Sequence, residues 1–212
     1  MKRMVGLMMM VSLAMPAMAQ QTEGTAPPAP APATPAPALP RVALDTSAGR
    51  IVIEADTQHA PITAGNFLKY VAGKRLDGTV FYRTVKVADR FGFVQFGSDG
   101  DPKRTLPPIA HEPTTKTGLT HDDGAISLAR AAPGSGRGDF FIVVGSVPTL
   151  DADPAASGDK LGYAAFGHVT AGMDIVRRIL RAPTAAGGPP GMTGQMLSAP
   201  VKIVSVRRVV AR

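Results

Sequence analysis

Between residues 42 and 210 the chain contains short apolar runs of strand length, separated by Gly, Pro and Asp residues. Val42 and Leu44, a turn-like Ser-Ala-Gly sequence, and then Ile51 and Ile53 predict two alternating strands joined in a β-hairpin. The further runs cover residues 80–87, 91–96, 125–129, 140–144, 163–166 and 201–210. Many short strands with turns between them predict a sandwich or a barrel, and a closed barrel leaves no strand edge exposed.

Two other stretches have helical periodicity. Pro61 suits the first turn of a helix, and the apolar residues that follow it recur at i, i+3, i+4 and i+7 before Gly73 ends the pattern. Residues 173–181 carry a broad apolar face, with Asp174 toward the start and arginines toward the end, as the helix dipole favours. We therefore expect a mainly β domain with two α-helices.

The first forty residues predict export and spacing. Lys2 and Arg3 precede an apolar stretch, and Ala17 and Ala19 fit the small-x-small pattern at which a signal peptidase cuts, so we expect a signal peptide at residues 1–19. A membrane anchor needs about 18 or more apolar residues, and this stretch is shorter. Residues 20–40 are rich in Pro and Ala, which predicts a disordered linker. The linker is either a passive tether or a source of Xaa-Pro ligands for the following domain.

The remaining residues, 41–212, are a normal size for one domain with its own core. Removal of Lys2 and Arg3 with the signal peptide lowers the formal net charge from +7 to +5. The basic residues are scattered and are not interleaved with aromatic residues, so we expect no nucleic-acid binding. The chain contains no cysteine, which excludes disulfides and thiolate chemistry.

One charged residue stands inside an otherwise strand-like run, VFYRTV at residues 80–85. By itself, Arg83 has the ordinary interpretation of a solvated or ion-paired surface residue. Phe93, Phe141 and Leu150 would likewise be interpreted as core residues because they are apolar, and Gln95 as a surface residue because it is polar. Alternation places Phe93 and Gln95 on one face of their strand and Val94 and Phe96 on the other.

These runs nevertheless match, in order, the sequence motifs of a known family. The matching segments are PITAGNFLKYV (61–71), FYR (81–83), FVQFGSD (93–99), PIAHEPTTKTGL (108–119), GAISLAR (124–130), FFI (140–142) and YAAFGHV (163–169). The chain resembles a bacterial, exported cyclophilin-type peptidyl-prolyl cis-trans isomerase over nearly all of residues 41–212. The resemblance implies a closed eight-stranded antiparallel barrel capped by two α-helices, with a peptide groove on its outer face.

The resemblance also assigns residues to the groove. It implies that Arg83 is the catalytic donor and that Gln95 positions this arginine and the substrate carbonyl. The implied substrate-binding residues are Phe93, Phe141 and Leu150 in the proline pocket, Ala129 and Arg130 on the peptide-binding edge, and Tyr163 as a pocket wall where other members have histidine.

The chemistry explains why an arginine suits this role. The amide loses its conjugation as it twists, so the prolyl nitrogen regains a lone pair, and a fixed donor aimed at it binds the twisted state better than the planar states. Arginine remains charged, and its donors form a rigid fork.

The sequence differs from the family pattern at several positions. Asp139 replaces a glutamine, and we include it among the implied substrate-binding residues. We consider two hypotheses for its carboxylate, a bidentate pair with Arg83 or an exposed surface charge. Gly92 stands where a phenylalanine is usual, and Phe91 would replace that ring if the strand bulges. The segment from Arg83 to Gln95 is also longer than usual.

Other sequence features do not support a different chemistry. The four histidines lack metal-ligand spacing, and the glycine-rich residues 134–138 lack the lysine of a phosphate loop. We expect a monomer without metal or cofactor that accelerates Xaa-Pro rotation in exported, unfolded proteins. The alternative is a proline-peptide binding or chaperone module with weakened catalysis on the same frame.

Overall fold

Eight antiparallel strands form a closed barrel in the described part of the chain, residues 38–88 and 90–209 of a computed structural model. The strands are β1 Arg41–Thr46, β2 Gly49–Ala55, β3 Val80–Ala88, β4 Phe91–Gly97, β5 Ala125–Leu128, β6 Asp139–Val144, β7 Ala164–Ala171 and β8 Met196–Val209. Their order around the barrel is β1-β2-β7-β5-β6-β4-β3-β8. The predicted barrel is confirmed.

The alternation in the sequence sets which side chains face the interior. In the β1–β2 hairpin, Val42 pairs with Ile53 and Leu44 with Ile51, and all four side chains are fully buried. Their spacing of two residues places all four side chains on the inner face of the two strands, in the core of the barrel.

Both predicted helices are present, as α1 Pro61–Ala72 and α3 Met173–Arg181. A single helical turn, α2 Thr114–Thr117, and a 3₁₀ turn, Pro148–Leu150, were not predicted.

The N-terminus of α1 is capped by a residue that is far away in the sequence. Ala60 offers no capping side chain, and the buried carboxylate of Glu112 accepts hydrogen bonds from the backbone N–H groups of Ile62 and Thr63. These bonds satisfy donors that a helix start leaves free.

Aromatic rings fill the interior of the barrel. Phe140 on β6 lies 5.2 to 5.9 Å, between ring centroids, from Phe67, Tyr70, Phe96 and Phe166, and all five side chains are fully buried. Side chains on both helices extend this core, which leaves the barrel no open channel. A binding site must therefore lie on the outside.

A second, smaller apolar cluster lies on the outer face of the barrel. Phe141 and Val143 alternate with the inward-facing residues of β6 and pack with Ala125 and Val147. Phe93, Ala129, Leu150 and Tyr163, which are only partly buried, lie against this cluster. One strand, β6, thus supports the core on one side and an external apolar surface on the other.

The predicted signal peptide, and residues 20–37 of the predicted linker, lie outside the described residues. Pro40, the last residue of the predicted linker, accepts a hydrogen bond from the backbone N–H of Ala55 and so belongs structurally to the barrel. No helix in residues 38–88 and 90–209 is long and apolar enough to cross a membrane.

The central position of Phe140 predicts a large effect on stability. We expect Phe140→Ala to lower the free energy of unfolding by about 3–5 kcal/mol, because it removes a fully buried ring and leaves a cavity. Urea unfolding measures this change. Val204→Ala, at a side chain that is 57% exposed on β8, is the control and should change the value by about 0.5 kcal/mol or less. Equal effects of the two substitutions would contradict the assigned core.

Candidate active site

An external cleft of about 550 Å³ lies over the outer apolar cluster. All nine residues that the sequence predicts for the site line it: Arg83, Phe93, Gln95, Ala129, Arg130, Asp139, Phe141, Leu150 and Tyr163. Strands β3, β4 and β6 are neighbours in the barrel, and they bring together residues that are far apart in the chain. Arg83 pairs with Gln95 across β3 and β4, and Gln95 pairs with Phe141 across β4 and β6.

The apolar end of the cleft is built from aromatic rings. The ring centroids of Phe93 and Phe141 are 4.9 Å apart, and the ring of Tyr163 stands perpendicular to Phe141 at 5.3 Å. Leu150, from the 3₁₀ turn, adds an aliphatic wall. This arrangement of rings gives an apolar, partly exposed pocket on the outer face of the barrel.

The guanidinium of Arg83 lies beside this pocket and is held from two sides. Its Nη1 donates to Oε1 of Gln95 at 3.0 Å, while Nε and Nη2 both donate to Oε1 of Gln195, at 2.8 and 2.6 Å. The guanidinium carbon also lies 5.7 Å from the centroid of the Phe93 ring. Burial lowers the pKa of Arg83, but an arginine remains charged in a protein.

Gln95 is oriented by a chain of hydrogen bonds that ends at Asp139. The amide Nε2 of Gln95 donates to the hydroxyl of Tyr82 at 2.7 Å, and this hydroxyl donates to Oδ1 of Asp139 at 3.1 Å. Burial, and then the nearby Asp139, raise the pKa of Tyr82, so the hydroxyl keeps its proton and remains a donor. With its nitrogen fixed by Tyr82, Gln95 must present its oxygen to Arg83.

Neither hypothesis for Asp139 is correct. Its carboxylate is not paired with Arg83 and is not exposed; it is partly buried and accepts hydrogen bonds from Tyr82, from the Ser98 hydroxyl and from the backbone N–H of Asp99. Burial raises the pKa of Asp139. Asp139 is therefore connected to Arg83 through the hydrogen bonds of Tyr82 and Gln95.

Phe91 does not replace the ring that Gly92 lacks. The strand bulges here, with a register shift between Lys86 and Ala88, but Phe91 is 47% exposed and its ring lies over Gly145. Gly92 has φ 151°, and a Cβ there would lie 1.9 Å from the carbonyl oxygen of Val85. The backbone thus requires glycine at position 92, and Phe93 supplies the ring beside the arginine.

Arg130 stabilises the wall of the cleft. Its guanidinium pairs with both carboxylate oxygens of Asp159 at 2.7 and 2.9 Å, donates to the carbonyl of Gly162, and lies 5.3 Å from the centroid of the Tyr163 ring. The hydrogen bonds from Arg130 lower the pKa of Asp159 to about 2. The side chain of Arg130 therefore holds Tyr163 in place.

A buried Asp-His-Ser arrangement lies beneath the pocket. Nδ1 of His121 is 2.6 Å from Oδ1 of Asp151, and its Nε2 is 2.9 Å from the hydroxyl of Ser127. These distances would suit a hydrolase triad, but His121 and Ser127 are fully buried, so no substrate can reach the hydroxyl. The imidazole instead stacks on Phe141, with ring centroids 5.9 Å apart, and Asp151 follows pocket residue Leu150 in the chain.

Sequence reasoning missed Tyr82, Gln195 and the role of His121. Tyr82 is next to Arg83 in the chain, but its hydroxyl reaches Gln95 only because the register of the β3–β4 pair brings the two together. Gln195 precedes β8, which begins at Met196, whereas the apolar run predicts a start at residue 201. The only sequence signal near Gln195 is a Gly- and Pro-rich stretch, which indicates a loop.

The described residues thus form a closed barrel with an apolar external groove beside a fixed guanidinium. The family model for "Cyclophilin type peptidyl-prolyl cis-trans isomerase/CLD" matches residues 41–208. The chain therefore belongs to the cyclophilin-type peptidyl-prolyl cis-trans isomerases.

Individual relatives agree with this family. The chain is 39% identical over 141 residues to peptidyl-prolyl cis-trans isomerase cyp18 of Streptomyces antibioticus. The aligned residues cover 65% of this chain and 81% of the relative. It is 36% identical over 167 residues to a peptidyl-prolyl cis-trans isomerase of Acinetobacter baylyi. Here the aligned residues cover 78% of this chain and 84% of the relative.

A solved structure agrees with the fold. The cyclophilin type peptidyl-prolyl cis-trans isomerase of Cryptosporidium parvum, crystallised in the presence of dipeptide ala-pro, superposes with a TM-score of 0.65 at 21% identity and covers 81% of this chain and 99% of that chain.

The buried imidazole predicts a pH-dependent stability. Burial lowers the pKa of His121 below its ordinary value of about 6.5, so the unfolded chain binds a proton more readily than the folded chain in mild acid. The neutral, buried imidazole therefore stabilises the folded chain. Its contribution to the free energy of unfolding is complete above about pH 6.5, the unfolded-state pKa, and is lost as the pH falls through the folded-state pKa of His121. Urea unfolding from pH 7.5 to pH 5 should show this loss in the native chain and not in His121→Gln.

His168→Gln is the matched control, because the side chain of His168 is 56% exposed. Titrating groups that do not contact either histidine, Asp139 included, are common to both variants, so their effects cancel in the comparison. Parallel pH profiles for the native chain and His121→Gln would contradict the assigned role of the buried imidazole.

Proposed function

We propose that the external groove accelerates cis-trans rotation about Xaa-Pro bonds in exported, incompletely folded proteins, with Arg83 as the catalytic donor. The observation that carries this proposal is the guanidinium of Arg83, held by two amide oxygens beside an apolar pocket of three aromatic rings. Such a pair of features is what a proline peptide needs, a place for the ring and a donor next to its amide.

The reaction determines what the site must supply. The Xaa-Pro bond crosses a barrier of about 20 kcal/mol and takes tens of seconds or longer to isomerise, because the twisted amide loses its conjugation. No covalent bond forms or breaks, so the step needs neither a nucleophile nor a general base. What lowers the barrier is an interaction that becomes stronger as the amide twists.

Arg83 supplies this interaction. The planar prolyl nitrogen has no available lone pair, whereas the twisted, pyramidal nitrogen is an acceptor. A guanidinium that is already fixed beside the proline pocket gains a hydrogen bond in the twisted state and pays no reorganisation cost at that moment. Phe93, Phe141, Leu150 and Tyr163 hold the proline ring, so that the acyl side of the bond rotates against a fixed ring.

The remaining predicted residues have supporting roles in this proposal. Gln95, fixed by Tyr82 and Asp139, orients Arg83 and lies close enough to the groove to contact the substrate carbonyl. Ala129 and Arg130 form the edge along which the peptide backbone lies, and the side chain of Arg130 is turned toward Asp159 and Tyr163. The proposal thus includes backbone contacts at these two residues.

Exchange NMR on a proline tetrapeptide tests the catalytic role of Arg83. We expect the purified full chain to accelerate the exchange and Arg83→Ala to lose about 100 to 1000-fold in rate, because a preorganised donor is removed. Arg50→Ala is the matched control, since Arg50 forms an exposed ion pair with Asp45 on the β1–β2 hairpin and contributes little. Native-like exchange in Arg83→Ala would overturn the assignment of this residue.

The same measurement separates catalysis from binding. Peptide resonances that shift on addition of the native chain, while exchange remains at the uncatalysed rate, would identify a proline-peptide binding module and contradict the proposed catalysis.

The proposal also places the protein outside the cytoplasm. Supporting it are the basic start, the apolar stretch and the Ala-Met-Ala cleavage pattern at residues 17–19. We expect the N-terminal sequence of the chain isolated from producing cells to begin at Gln20, and a double variant, Ala17→Leu with Ala19→Leu, to remain uncleaved because signal peptidases require small residues there. A mature chain that begins at Met1 and stays in the cytoplasm would contradict export.

A further inference from the structure

Gln195 lies on one edge of the Arg83 guanidinium, outside every motif that indicated the active site. Its Oε1 accepts hydrogen bonds from Nε at 2.8 Å and from Nη2 at 2.6 Å. We propose that Gln195 is a positioning residue, which orients the Arg83 guanidinium without neutralising its charge. This proposal rests on the proposed function of Arg83.

The backbone brings Gln195 to this place from the C-terminal part of the chain. The carbonyl of Gln195 accepts from the N–H of Thr84, which follows Arg83, at 2.8 Å, and Met196 pairs with Arg83 in the β3–β8 register. The N–H of Gln195 donates to the carbonyl of Met192 at 3.0 Å. The backbone of Gln195 is thus held by hydrogen bonds on both sides, and its side-chain amide is held by Arg83. Neither has to be ordered when substrate binds, so no entropy is lost there at that step.

The loop before Gln195 explains how the chain reaches this position. Residues 187–194 contain four glycines and two prolines, and Gly194, with φ 73°, adopts a conformation that few other residues tolerate. The N–H of Gly194 donates to the carbonyl of Gly187 at 3.2 Å and closes the loop. The chain therefore arrives at Arg83 from a compact turn.

The count of donors shows what Gln195 leaves for the substrate. A guanidinium has five N–H donors. Gln195 takes two of them and Gln95 takes one, on Nη1, so that one N–H of Nη1 and one of Nη2 remain. Rotation of the guanidinium would break at least one of these bonds, so the two remaining donors have a fixed direction.

The neutral charge of both acceptors also matters. In residues 38–88 and 90–209, no carboxylate lies within ion-pair distance of Arg83, and hydrogen bonds connect Asp139 to it through Tyr82 and Gln95. A carboxylate on the same edge would hold the guanidinium equally well but would offset its positive charge where the prolyl nitrogen develops its lone pair. An amide oxygen fixes the direction and preserves the charge.

Two substitutions test both parts of the proposal in the purified full chain. Gln195→Leu has a similar size and no acceptor, and we expect its kcat for the tetrapeptide to fall about tenfold, with KM within about twofold, because Arg83 is released while the apolar pocket is intact. Gln195→Glu retains the acceptor, and we expect it to bind peptide normally with a kcat below the native value. Thr193→Ala, at an exposed loop residue, is the control.

The NMR signal of the Arg83 Nε–H group gives a readout that does not depend on catalysis. We expect this signal to exchange slowly with water in the native chain and in Gln195→Glu, and to broaden in Gln195→Leu. An unchanged signal and a native kcat in Gln195→Leu would overturn the positioning role, and a native kcat in Gln195→Glu would overturn the role of charge. If the native chain does not accelerate exchange at all, the proposed function fails, while the Nε–H signal still decides whether Gln195 positions Arg83.

Discussion

The packing of aromatic rings around Phe140 is the constraint on which the rest of the structure depends. Because these rings fill the barrel, the interior cannot hold a ligand, and recognition must take place on the outside. Strand β6 carries both functions through its alternation. Phe140 anchors the core, and the next residue, Phe141, is the floor of the external pocket. Because the core is rigid, the pocket floor is rigid, and a preorganised site needs such support.

Around that floor, each group of the site is held in place by a neighbouring side chain. His121 stacks on Phe141, Arg130 lies over the ring of Tyr163, and Tyr82 fixes the amide of Gln95. Asp139 shows how such support changes the meaning of a substitution. A carboxylate in place of the family's glutamine would weaken the site if it paired with Arg83, but Tyr82 stands between them and donates to it. The charge of the guanidinium thus remains available.

Much of the fold could be predicted from local patterns, because burial follows from periodicity. The alternation in β1 and β2, the i, i+3, i+4, i+7 spacing of α1 and the charges of α3 each indicated the correct element. The capping of α1 could not be predicted, since Ala60 carries no acceptor and Glu112 comes from fifty positions further along the chain. The exposed position of Phe91 and the need for glycine at position 92 could not be predicted either, because both depend on a register shift between β3 and β4.

The sequence by itself determined the strand and helix pattern, the family, and nine residues that meet in one cleft, because apolar periodicity and ordered motifs are properties of the chain read in one dimension. The tertiary structure decided which donors of Arg83 are occupied. That depends on the early start of β8, which brings Gln195 against a strand more than a hundred residues earlier, and on the hydrogen-bond chain from Asp139 through Tyr82 to Gln95. Directional hydrogen bonds between distant strands depend on register and angle, and neither of these is a local property of the sequence.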